Sequence, residues 1–151
     1  MEIPSMNLFL RNAAITDAEM ILRWRNDPVT RTASFTKNEI DLESHKKWYS
    51  ARLESPDCFL FILMHDSECI GQLRIDRIND VGEISYMIAP EKRGMGYGKK
   101  IIELASTAAP AGLRVLTGLV ESSNEASRKC FLKNGYTELT GGNICCYIKV
   151  L

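Results

Sequence analysis

The sequence predicts a mixed α/β fold of the α+β type, a mixed sheet with helices on both faces, and three observations predict it. Hydrophobic patterning gives the order β, α, α, β, β, β, α, β, α, β, β, which is neither a regular βαβ alternation nor an all-strand pattern. Three apolar runs in succession, "CFLFILMH", "ECIGQLRID" and "GEISYMIAP", are rich in Ile, Leu and Phe and read as an antiparallel meander. Directly behind them, glycines stand at every second position, Gly94, Gly96 and Gly98, after Arg93 and at the entrance to a helix.

Leu8 and Leu10 begin a short first strand, and Thr16 with Glu19 three residues later has the S/T-x-x-E form of a helix start. That helix runs to about Arg25, where "NDP" breaks it. After a bent connection, "DLESHKKWYSARLES" places Leu42, His45 and Tyr49 on one face at helical spacing. The three meander strands follow, parted by the turn signals "DS" and "IND". The glycine stretch opens a helix whose inward stripe is Ile101, Ile102, Ala105 and Ala108, ended near "PAG" before the strand "LRVLTGLV". "SSNEASRKCFLKNG" is a further helix closed by Gly135, and two strands joined by the hairpin signal "TGGN" end the chain.

At 151 residues, with 45% apolar and 25% charged residues, the chain suits a single domain over 1–151 with no disordered tract. Nineteen basic residues balance nineteen acidic ones, so nothing electrostatic favours nucleic acid or an anionic membrane as partner. No signal peptide and no run near the roughly 20 apolar residues of a membrane span is present, which leads to a cytoplasmic expectation. The five cysteines (58, 69, 130, 145, 146) are odd in number and form no C-x-x-C, which suggests free thiols in a reducing compartment and implies neither zinc nor disulfides.

Unpaired amides at a helix N-terminus carry partial positive charge, and glycines let a phosphate approach them. A nucleotide P-loop needs G-K-[ST] after its last glycine, whereas Gly98 is followed by Lys99 and Lys100. A dinucleotide fingerprint belongs in a leading βαβ unit, whereas this loop follows antiparallel strands two thirds along the chain. A merely flexible turn leaves unexplained why glycine persists into the helix, where it costs about 1 kcal/mol relative to alanine.

The stretch from Arg93 to Gly98 matches R-x-x-G-x-G, preceded by "EISYMIAPEK" and followed by "VESSNEASRKCFLKNGY". Together these resemble the GNAT superfamily of acetyl-CoA-dependent N-acetyltransferases, over the whole chain and most tightly from Gly82 to Tyr136. The resemblance implies a six- to seven-stranded, mostly antiparallel sheet splayed at its centre, with about four helices. It also implies acetyl-CoA as co-substrate, held at its pyrophosphate by the loop Arg93, Gly94, Met95, Gly96, Tyr97, Gly98 and Lys99. Main-chain groups of Met87, Ile88 and Ala89 would pair with the pantetheine arm, and one of those amides would polarise the thioester carbonyl. On the next helix the resemblance points Asn124, Ser127, Arg128 and Phe131 at the cofactor, with Asn124 bonding pantetheine and Arg128 or Lys133 meeting the adenosine phosphates. The position of Phe131 often holds a tyrosine acid in that family, and phenylalanine has no proton to give; Cys130, Tyr86 or water are the substitutes. Period-two alternation puts Glu83, Ser85 and Met87 on one strand face, which makes Glu83 the candidate base for the amine, directly or through a water held by Ser85.

For the acceptor, Trp24-Arg25-Asn26, Ser34-Phe35 and His45-Lys46-Lys47-Trp48 look like the branch with the nucleotide-sugar amine acetyltransferases of pseudaminic acid biosynthesis, and the ribosomal-protein N-terminal acetyltransferases share parts of it. Arg25, Asn26, His45 and Trp48 are the acceptor-binding candidates, with Arg31, Lys46, Lys47 and Phe35 as further cations and aromatic. The partner so implied is a small-molecule amine, such as the 4-amino group of a UDP-linked deoxysugar; homodimerisation is left open. The alternatives are a protein N-terminal α-amine as acceptor, or a coenzyme A-binding sensor without catalysis.

Overall fold

The computed structural model describes residues 7–35 and 37–151. Its strands are β1 (Leu8–Asn12), β2 (Cys58–His65), β3 (Glu68–Ile78), β4 (Val81–Ile88), β5 (Val115–Glu121), β6 (Thr137–Gly141) and β7 (Ile144–Val150). The helices are α1 (Ala18–Asn26), α2 (Pro28–Ala33), α3 (Leu42–Glu54), α4 (Tyr97–Ala108) and α5 (Glu125–Lys133). All strands form one sheet in the order β1-β2-β3-β4-β5-β7-β6, antiparallel except where β4 meets β5. The mixed fold with a mostly antiparallel sheet and helices on both faces is therefore present as the sequence implies.

Strand alternation divides the core in two. On one face Leu73, Ile75 and Ile84 pack under α4 and α5 with Tyr97, Ile101, Ile102 and Phe131. On the other, Leu60, Ile62 and Met64 pack under α1 and α3 with Ile21, Trp24 and Tyr49. Each such buried large side chain contributes about 1.5–3 kcal/mol against unfolding. The start of α1 differs from the expected Thr16 cap: a single 3-10 turn over Ile15–Asp17 precedes the helix. Asp17 does the work there, accepting the Ala14 amide at 2.8 Å and pairing with Arg11 at 2.8 Å. The bent connection after "NDP" contains the short α2, capped by Asp27 through the amides of Val29 and Thr30.

The feature that positions the site is a fork. β4 and β5 run parallel and paired from Val81↔Val115 to Ile84↔Gly118, and there the pairing stops although β4 continues to Ile88 and β5 to Glu121. An aromatic wedge lies beneath the fork. Phe131 stacks on Tyr147 at 4.9 Å between ring centroids and meets Tyr86 edge-on at 6.2 Å. Gly118 admits that ring, since a Cβ there would lie 2.4 Å from it.

Candidate active site

Each glycine of the loop has a separate reason. Gly94 (φ 73°) and Gly96 (φ 88°) occupy the left-handed region, which a side chain disfavours by about 1–2 kcal/mol. Gly98 is needed for contact instead, because a Cβ would stand 3.0 Å from Cys130 Sγ and 3.6 Å from the Tyr86 ring. Gly96 caps α4 without a side chain, and the backbone bond from Lys100 N to Gly96 O leaves the amides of Tyr97, Gly98 and Lys99 facing out of the helix start. The Tyr97 side chain is buried, with its hydroxyl 2.7 Å from His65 Nδ1, so it anchors the helix to β2 while its amide stays at the mouth. Met95 and Lys99 are exposed. The Arg93 guanidinium bonds Asp27 Oδ2 at 2.9 Å and Thr30 Oγ1, tying the loop to α2.

At the fork the unpaired backbone belongs only in part to the residues expected. Ala89 already donates its amide to Ile70 on β3 at 2.8 Å. Backbone groups alternate sides along a strand, so Met87 also faces β3, while Tyr86 and Ile88 turn theirs toward the opening. Of Met87, Ile88 and Ala89, only Ile88 is placed to meet a ligand there, and Tyr86 joins it. The signal that finds Tyr86 is parity: a two-residue alternation admits 86 and 88 together, never three consecutive residues.

The α5 residues are mostly engaged within the fold. Asn124 caps the helix through its side-chain oxygen, accepting the Ser127 amide at 3.3 Å, which leaves its NH2 group. Ser127 Oγ accepts the Tyr86 hydroxyl at 2.8 Å. Arg128 is engaged at each guanidinium nitrogen, by the Ser122 carbonyl, the Tyr147 hydroxyl and Glu138, which ties it to the β6–β7 side. Phe131 is core, 2% exposed. Lys133 is exposed near the helix end. Burial pushes the Tyr86 hydroxyl well above the ordinary phenol value, with Cys130 adding to the shift, so the hydroxyl keeps its proton at neutral pH.

On the opposite sheet face stand Glu83, Ser85 and Met87, as alternation requires. Glu83 is half-buried one residue before the last β4–β5 pairing, beside Thr117 on β5 and Asp76 on β3. Its carboxylate makes no hydrogen bond or ion pair among the described residues. Asp76 is neutralised by Arg52 at 3.2 Å and Arg74 at 2.9 Å, which relieves the repulsion between two carboxylates directly across strands. Ser85 Oγ accepts from Arg74 at 3.2 Å.

The N-terminal helices complete this face. Arg25 lies 4.6 Å from the Trp48 ring centroid, and Arg74 and Arg52 lie 5.4 and 5.5 Å from it. His45 is buried and structural: its Nε2–H donates to the Ala18 carbonyl at 2.8 Å, leaving Nδ1 as acceptor for Arg25 at 3.5 Å. Asn26 bonds the backbone of Ile40 with both ends of its amide, at 2.8 Å each, and so holds the α2–α3 loop. Lys46 pairs with Glu19, Lys47 is exposed, and Phe35 is exposed on the α2–α3 loop. Arg25 and Trp48 thus stay available for a ligand, while His45 and Asn26 have scaffold positions.

The residues present fit a long phosphorylated thioester: a side-chain-free helix N-terminus at the mouth, then two strands whose facing backbone is unpaired. Among solved structures the fold is similar to a spermidine N-acetyltransferase from Vibrio cholerae in complex with CoA and spermine (TM-score 0.86, 17% identity, 95% of each chain). It is similar also to RimL, a ribosomal L7/L12 alpha-N-protein acetyltransferase in complex with coenzyme A (TM-score 0.83, 16% identity, 97% of this chain and 96% of that one). A third is AAC(6')-Ib with ribostamycin and coenzyme A (TM-score 0.82, 16% identity, 95% and 93%). No curated protein sequence matches the chain. Residues 7–137 match the acetyltransferase (GNAT) domain model, and the chain therefore belongs to that family of acetyl-CoA-dependent acetyltransferases.

Proposed function

We propose that the protein moves acetyl from acetyl-CoA to a primary amine by direct attack, with the 4-amino group of a UDP-linked amino-deoxysugar as the favoured acceptor. The observation that carries the reading is the fork: free amides at the α4 start lie at one end, and the unpartnered Glu83 carboxylate lies beside its root. Acetyl-CoA supplies an activated acyl thioester. The amides of Tyr97, Gly98 and Lys99 hold its diphosphate, and the fork backbone at Tyr86 and Ile88 aligns the arm as an added strand would. A fork amide donates to the carbonyl oxygen where negative charge develops. Glu83 takes the proton of the attacking amine, directly or through a water on Ser85. Tyr86, protonated and hydrogen-bonded to Ser127, is the hydroxyl in the fork that stands where Phe131 offers none.

A non-catalytic sensor has no use for a free carboxylate beside the fork, and a cluster of three arginines does not suit a peptide groove selected by acidic walls. The test is acetyl-CoA-dependent thiol release over a panel of UDP-4-amino sugars, short N-terminal peptides and neutral amines. Turnover with the sugar nucleotide is expected; thermal stabilisation by acetyl-CoA with no release on any amine overturns the proposal.

A further inference from the structure

The three guanidiniums around Trp48 pose a charge problem that the fold does not solve. Arg52 and Arg74 share the single carboxylate of Asp76. Arg25 has none. Its polar contact is His45 Nδ1, and because the other ring nitrogen must carry the proton given to the Ala18 carbonyl, that imidazole is neutral. Arg25 is half-buried, and both burial and the neighbouring Arg74 charge work against its positive charge. The Trp48 ring offsets part of this, since a cation over an indole face gains about 0.5–2 kcal/mol. One ring facing three cations leaves most of the five N–H donors of Arg25 unused, and it does not cancel the repulsion between the guanidiniums.

The cluster is also reachable and well placed. Trp48 is half-buried, and the side chains of Arg52 and Arg74 keep 40% and 25% of their exposure. Arg74 bonds Ser85, the residue that follows Ile84, where β4 leaves β5. The anion that completes the cluster would therefore lie along the acceptor face, beside the fork and the same strand that carries Glu83.

We infer that Arg25, Arg74 and the Trp48 ring form a seat for an oxyanion of the acceptor, a phosphate or a carboxylate, so that the enzyme selects amines carrying negative charge and disfavours polycationic ones. The choice of acceptor rests on the acetyl-transfer reading above, whereas the seat itself does not. Planar guanidiniums match phosphate and carboxylate oxygens with paired bonds, and the exposed part of the indole offers a surface for a flat ring beside them. His45 is a positioning residue in this arrangement, because its Nδ1 holds the Arg25 fork in place.

The experiment saturates the protein with coenzyme A, so that the glycine loop is filled, and titrates it with UDP or with succinate while tryptophan fluorescence is read. A saturable change with UDP assigns the seat to phosphate, and one with succinate alone assigns it to carboxylate; either supports the seat. Arg25→Gln is expected to weaken that binding at least about tenfold, Arg25→Lys to restore part of it, and Trp48→Phe to remove the optical signal. In turnover, Arg25→Gln raises KM for the anionic amine by a similar factor, with kcat and the KM for acetyl-CoA unchanged. No response to either anion, equal binding by wild type and Arg25→Gln, or faster turnover of spermidine than of any anionic amine overturns the inference. Arg25-dependent UDP binding without acetylation of any amine upholds the seat and defeats the acetyl-transfer reading instead.

Discussion

Glu83 and Asp76 are neighbouring carboxylates on one sheet face, and their surroundings give them different work. Asp76 is fixed between two arginines, so its lone pairs are occupied. Glu83 has no such partner among the described residues, and a carboxylate free to accept is what a base for an ammonium proton must be. Replacing it with Gln keeps the shape and removes the basicity. Glu83→Gln is expected to lower kcat by roughly 10²-fold at neutral pH, with the KM for acetyl-CoA and the thermal midpoint unchanged; an unaltered steady-state rate removes Glu83 from the chemistry. The side-chain face of Glu83 and Ser85 was legible in the sequence because it follows from alternation alone. Arg128 was not: helical spacing puts it on a face with Asn124 and Ser127, but only the fold brings Glu138, Tyr147 and the Ser122 carbonyl to it.

At the scale of elements, the fork and the α4 entrance depend on missing side chains. At Gly96 the requirement is conformational, since its φ of 88° begins the helix and an added Cβ opposes it. Gly96→Ala is expected to destabilise the fold by about 1–2 kcal/mol and to weaken coenzyme A binding, read by thermal melts with and without the ligand. A variant with normal affinity means that the loop amides are not the diphosphate site. At Gly118 the requirement is space: the Phe131 ring that a Cβ would strike is stacked on Tyr147 and set edge-on against Tyr136 at 5.1 Å, so it has nowhere to retreat. Gly118→Ala is expected to cost about 1–3 kcal/mol, measured by denaturant unfolding, because overpacking a tight core forces the wedge or the strand to move. The sequence disclosed the loop glycines through their spacing, but Gly118 was silent, because a close approach between a strand and a later helix leaves no local pattern.

Across the whole molecule, α4 and α5 pack on one sheet face and α1 and α3 on the other, and the proposed reading gives the first face to the cofactor and the second to the acceptor. The first was readable because the glycine spacing at a helix start and the segments flanking it lie close together in sequence, whereas the second depends on which residues of α1 and α3 meet over β3 and β4. His45 joins those elements at the level of the entire fold, bonding the Ala18 carbonyl of α1 from its place in α3 and packing at 5.5 Å from Tyr49. Burial pushes its imidazole below the ordinary value; the bond to Ala18 works against that shift, and the Arg25 charge adds to it. An unfolded chain therefore takes up a proton at His45 more readily than the folded one. The stability this neutral histidine contributes is fully present above its unfolded value near 6.5 and is lost as pH falls through that value toward the lower folded one. The slope is at most about 1.4 kcal/mol per pH unit for one proton. Between pH 7.5 and 5.5 the thermal midpoint of the wild type should fall, and His45→Gln, which starts lower at pH 7.5, should fall by less over the same range. Parallel pH profiles for the two proteins would mean that His45 titrates alike in both states and is not held neutral by the packing of α1 on α3.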